Sequence, residues 1–177
     1  MMRCKKQKPT KLFLSLTAII IIIFAAGFYY KTEISSVPQT FQVPTDGYTA
    51  ADVSIEASTL YLSAECQRLS MEISDTQALS IKQGLEKTID KRPLTHDIVK
   101  DIFDNFDIEV LMVRIDAFSD GIYYARIIMQ QGNKVLDIDS RPSDAAALAV
   151  RSSLPVYVKN ELLSTYGENI CRTEKQE

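Results

Sequence analysis

The chain has 177 residues, 46% of them hydrophobic and 24% charged, with six glycines and six prolines, a composition that excludes a collagenous, disordered or low-complexity polymer. The net charge of −3 is uneven: six of the 20 basic residues and none of the 23 acidic ones fall in residues 1–31, leaving 14 basic against 23 acidic residues in the rest. So acidic a remainder carries no broad basic groove for nucleic acid, and the single histidine, His96, excludes any site that needs two.

In chain order, residues 1–11 predict a basic cytoplasmic N-terminus. Residues 12–30 contain no charge and include five consecutive isoleucines, Ile19 to Ile23. As a helix this run spans about 28 Å, close to the thickness of a bilayer core, and Tyr29 and Tyr30 suit its interface. Five positive charges precede it and only Lys31 follows closely. The charge bias predicts a single-pass membrane protein with its C-terminal domain outside the cytoplasm. A cleaved signal peptide is the alternative, with Ala25-Ala26-Gly27 as small residues near its end. Residues 31–50, with Pro38, Pro44 and Gly47, read as a linker. Residues 51–168 form the expected domain and 169–177 a C-terminal tail. Cys66 and Cys171 would lie outside, where a disulfide persists; sequence alone leaves their distance open.

Within the domain, residues 52–73 alternate with period two and read as strand. A helix starts at Asp75, with Ala78, Ile81, Leu85 and Ile89 on one face. A second follows Pro93, with Thr95 as N-cap and Ile98, Ile102, Phe103 and Phe106 as its apolar face. Residues 108–118, 122–130 and 135–139 make a meander, punctuated by Asp120-Gly121 and Gly132-Asn133. Ser140 and Ser143 compete as N-cap of an alanine-rich third helix with Pro142 in its first turn. A short strand at 156–158 and a terminal helix from Asn160 complete an α+β domain, mainly antiparallel sheet with helices packed on it.

Two segments concentrate unexplained polar residues: Arg92-Pro93-Leu94-Thr95-His96-Asp97, and Asp137-Ile138-Asp139-Ser140-Arg141-Pro142-Ser143-Asp144. Both lead into helix N-termini, which favour anions, and each carries an arginine, a bidentate phosphate donor. Arg92, Arg141 and Ser143 are the expected substrate-binding residues. His96, Asp97, Asp139 and Asp144 are the catalytic candidates. Asp137 and Asp139 point to one face of a strand, and this carboxylate pair is the candidate ligand set for Mg²⁺ or Mn²⁺. The competing reading makes these groups scaffold: Asp139 and Asp144 pairing with Arg141 or capping the helix, and His96 as a hydrogen-bonded structural residue.

The run Arg141-Pro142-Ser143-Asp144-Ala145-Ala146-Ala147-Leu148-Ala149, the upstream Arg92–Asp97 segment and Gly121-Ile122-Tyr123-Tyr124-Ala125 resemble the signature of the bifunctional nuclease family. One departure is Gln77-Ala78, where that family usually has Glu-Ala at the start of its first helix. The resemblance covers about residues 52–165 and implies a compact α+β domain with nuclease activity on DNA and RNA. The function expected is a membrane-anchored, metal-assisted nuclease. Its expected partners are nucleic acid as substrate, the membrane through residues 12–30 and a second copy of the chain. The alternative is a non-catalytic extracytoplasmic binding module of the same fold.

Overall fold

The structure, a computed structural model, describes residues 19–24 and 41–171. Residues 19–24 are helical with exposed side chains. The rest of the expected membrane helix lies outside the described residues, as do the basic N-terminus, the first half of the linker and most of the tail. Among the described residues no helix is long and apolar enough to cross a membrane.

The unit that follows contains, among its described residues, strands β1 (Tyr48–Glu56), β2 (Thr59–Ala64) and β3 (Gln67–Glu72), helices α1 (Asp75–Glu86) and α2 (Thr95–Asn105), and the meander β4 (Glu109–Ser119), β5 (Ile122–Gln131) and β6 (Lys134–Ser140). Helix α3 (Pro142–Arg151), strand β7 (Val156–Lys159), helix α4 (Asn160–Tyr166) and strand β8 (Glu168–Asn169) complete it. The strands form one sheet in the order β6-β5-β4-β7-β1-β2-β3-β8. The β4–β7 pair is parallel and the other pairs are antiparallel, so the α+β class expected from the hairpin signals is what forms.

The strand-like, period-two span over 52–73 forms three strands. Ala57 and Glu65 turn the chain with φ of 50° and 52°, and the buried parity switches at each hairpin, from Ala51 to Leu60 and Leu62 and back to Leu69 and Met71. Asp120 and Gly121 both take positive φ, 54° and 77°, as the two-residue hairpin between β4 and β5 demands. The helices lie on the sheet face that presents Val113, Ile115, Ala125, Ile127 and Met129, and these join the buried Ala145–Ala149 of α3 in one core. Small residues let α3 come close to β4 and β5.

Helix boundaries differ from the sequence expectations in three places. Helix α1 stops at Glu86 because Lys87 takes the left-handed conformation, which leaves Ile89 beyond the helix and exposed. The N-cap of α2 is Leu94 rather than Thr95; no side chain caps the helix from that position, and the Asp97 carboxylate reaches back to accept the Leu94 N–H at 2.7 Å, the acid's half of a capping box. The N-cap of α3 is Arg141, with Pro142 at the start of the helix, so neither Ser140 nor Ser143 caps it. Of the expected apolar face of α2 only Phe103 packs on the core, joined there by Val99, whereas Ile98, Ile102 and Phe106 are exposed.

Candidate active site

Helix α1 begins with a capping box. Ser74 Oγ accepts the Gln77 N–H, and Gln77 Oε1 accepts the Ser74 N–H at 2.9 Å. That orientation turns Gln77 Nε2 towards α3, where it donates to Ser143 Oγ at 2.9 Å. One turn on, Ser80 Oγ lies 2.9 Å from His96 Nδ1 at the start of α2. On the other edge of the imidazole, Nε2 lies 3.5 Å from Asp144 Oδ1 in the first turn of α3. Asp144 is clamped by Arg141, whose Nε and Nη2 donate to its two oxygens at 2.7 and 3.2 Å. The starts of three helices thus meet in one polar chain, Ser80–His96–Asp144–Arg141. The two segments that the sequence singles out come together, although about 40 residues separate them.

Exposure grades along that chain. Ser80 is buried, the His96 side chain is 17% exposed, that of Asp144 26% and that of Arg141 71%. Burial lowers the His96 pKa and Arg151 lowers it further, against the opposing pull of Asp144. The ring is therefore neutral at pH 7, and its contact with Asp144 is that of a neutral imidazole to a carboxylate. If Ser80 donates to Nδ1, the proton on Nε2 faces Asp144. A buried serine cannot reach a polymer, so Ser80 holds the ring.

Behind this chain, Asp97 Oδ1 accepts Arg151 Nε at 2.7 Å, with the two side chains 10% and 6% exposed. Burial alone would raise the Asp97 pKa; the hydrogen bonds from Arg151 and from the Leu94 N–H, with the arginine charge, outweigh it and hold the carboxyl below its usual range. Arg151 Nη1 also donates to the Ser80 and Ala147 carbonyls. Asp97 is thus a largely buried brace between α2 and α3.

Asp137 and Asp139 are elsewhere. They do share a face of β6, but Asp139 stands opposite Arg126 and Asp137 opposite Ile128. These are the alternate positions to Ile127, which faces the helices. Both aspartates therefore lie on the sheet face away from His96. Asp137 accepts Arg126 Nε at 2.6 Å and Arg114 Nη2 at 3.3 Å, in a network that continues to Asp116 and the Tyr48 hydroxyl. The idea that Asp139 joins the His96 cluster is corrected by this parity. The carboxylate pair does not converge with further donors: among the described residues no three His, Cys, Asp or Glu side chains gather as a metal-holding group, and Asp137 is already engaged by two guanidiniums. Arg92 is exposed in the loop before α2, and Ser143 is buried against Gln77. Sequence reasoning missed Ser80, Gln77 as a bridge, and Arg151. The available signal was helical spacing: Gln77 and Ser80, three apart, share the face of α1 that meets α2 and α3.

An exposed arginine paired with a carboxylate, beside an oriented imidazole, thus stands where the helices of this α+β domain converge. The sequence profile of the bifunctional nuclease domain matches residues 60–170, and the chain belongs to that family. An uncharacterized protein of Mycobacterium tuberculosis is 35% identical over 95 residues, which cover 53% of this chain and 54% of that protein. Bifunctional nuclease 1 of Arabidopsis thaliana is 31% identical over 87 residues, 48% of this chain and 27% of the plant protein. Bifunctional nuclease 1 of Oryza sativa subsp. japonica is 24% identical over 108 residues, 59% of this chain and 33% of its own length. The matched region thus spans about half of the mycobacterial relative and a third or less of these plant ones.

Proposed function

We propose that the chain is a nuclease that hydrolyses phosphodiester bonds of DNA and RNA at the Arg141–Asp144–His96 cluster. The observation that carries this reading is that the nuclease-domain match over residues 60–170 includes both polar segments, and that their side chains meet. Arg141 uses Nε and Nη2 on Asp144, so Nη1 is left for a phosphate oxygen. Asp144 accepts the proton of the attacking water; the new P–O bond forms as the bond to the leaving oxygen breaks, and solvent protonates that oxygen. His96 is a positioning residue that keeps Asp144 turned to the phosphate, itself held by Ser80. Asp97 braces α2 and does not touch substrate.

The proposal extends to location. Residues 12–30 anchor the chain with its N-terminus in the cytoplasm and the domain outside, supported by the five preceding positive charges. The Cys66–Cys171 disulfide supports the same side, since such bonds persist in oxidising compartments. A second reading, a non-catalytic binding module, is favoured by the excess of acidic residues after residue 31 and by Gln77 standing where the family usually has an acid.

The test is incubation of the purified full chain with single-stranded DNA and RNA, with Mg²⁺ or Mn²⁺ added and with chelator. Cleavage in any arm that disappears with Asp144→Asn supports the nuclease, and the chelator arm reads metal assistance. No cleavage of either polymer in any arm supports the binding module.

A further inference from the structure

A second polar site lies on the far side of the Asp97–Arg151 brace. A cleft of about 320 Å³ opens between the ends of α1 and α3 and the flank of α2, lined among others by Gln83, Lys87, Asp97, Asp101 and Arg151. This is the size range of small-molecule sites. Two of its lining side chains are buried and incompletely bonded. Arg151 spends Nε on Asp97 and Nη1 on two carbonyls, but Nη2 has no partner among the described residues, and neither has Gln83 Oε1. Buried donors and acceptors are nearly always paired, so an unpaired donor and an unpaired acceptor lining one cleft need an account. At the rim Lys87 and Asp101 form no ion pair among the described residues. The cleft therefore has an unpaired donor and an unpaired acceptor in its wall, and a cation and an anion outside any ion pair among its lining residues.

We propose that this cleft binds a small two-ended molecule, with an oxyanion for Arg151 Nη2 and Lys87 and an N–H donor for Gln83 Oε1 and Asp101. Amino acids and nucleoside monophosphates share that chemistry. The site is separate from the Arg141–Asp144–His96 cluster and does not depend on the nuclease reading. A lone oxyanion satisfies only one of the two orphan groups and binds less tightly.

The experiment is calorimetric titration of the full chain, solubilised in detergent, with adenosine 5′-monophosphate, glycine and inorganic phosphate, repeated on Gln83→Leu, Lys87→Asn and Arg141→Ala. Asparagine tolerates the left-handed backbone at Lys87, so that rim variant stays folded even if the buried Gln83→Leu does not. At least one two-ended probe is expected to bind one site, about tenfold tighter than phosphate, with a loss of about tenfold in Lys87→Asn and in folded Gln83→Leu. Binding of the nucleotide alone or of glycine alone assigns the source. The proposal is overturned if neither probe binds at millimolar concentration, if Lys87→Asn leaves Kd within about twofold, or if binding is lost in Arg141→Ala and kept in Lys87→Asn.

Discussion

Asp97 and Asp144 are both aspartates in the first turn of a helix, yet burial separates their roles. Asp97 is enclosed with Arg151, so Asp97→Asn leaves a buried guanidinium uncompensated and is expected to cost about 3–5 kcal/mol in chemical denaturation; a loss under about 1 kcal/mol would make the pair a surface-like contact. His96 gives a pH signature with a fixed sign. Its folded pKa is lowered, so below about pH 6.5 the unfolded chain binds the extra proton and stability falls as pH falls towards the folded pKa. Above that window the contribution is fully present. The depressed Asp97 carboxyl acts in a lower window, where stability is lost as pH falls through its folded pKa. Melting temperature against pH should decline below about 6.5 in the wild type and less steeply in His96→Gln; parallel profiles would contradict the assignment. At this scale the sequence was legible where residue type met helix position: His96, Arg141 and Asp144 do converge. It was not legible for Asp139, because period two places Asp137 and Asp139 on a common face without saying which face the helices cover.

Elements were legible where local chemistry decides them and less so where packing does. The Asp120-Gly121 hairpin and the alanine-rich α3 follow from their residues. The exposed Ile98 and Ile102 of α2 do not, since apolar spacing marks a face without supplying a partner to cover it. The contact between α1 and α3 is equally hidden in sequence and rests on Gly84. A Cβ there would lie 2.5 Å from Val150 Cγ2 and 2.9 Å from Arg151 Nη1. Alanine raises helix propensity by about 0.5–1 kcal/mol, but overpacking costs about 1–3 kcal/mol, and Arg151 is pinned by its three hydrogen bonds. Gly84→Ala is therefore expected to destabilise the domain in a denaturant melt. A stabilised variant would show that α1 and α3 can separate freely.

Across the whole molecule, Cys66 and Cys171 bridge 105 residues with Cα atoms 5.1 Å apart, tying the β2–β3 turn to the chain just after β8. Ile170 N–H donates to the Cys66 carbonyl in the same place. Sequence supplied two cysteines but not their proximity, which depends on α4 returning the chain to β3. Reduction should lower stability by about 2–4 kcal/mol, read as a drop in denaturation midpoint with reductant; an unchanged midpoint would remove the bridge from the account. The central claim is that the Arg141–Asp144–His96 cluster cleaves nucleic acid. Its most direct test measures cleavage rate and melting temperature on the same preparations of wild-type chain and Asp144→Asn. Asp144 pairs with a largely exposed arginine, a contact of little weight for stability, so the account predicts a folded variant with a rate reduced by about 10²–10⁴-fold. An Asp144→Asn chain that melts like the wild type and cleaves at the wild-type rate would contradict it.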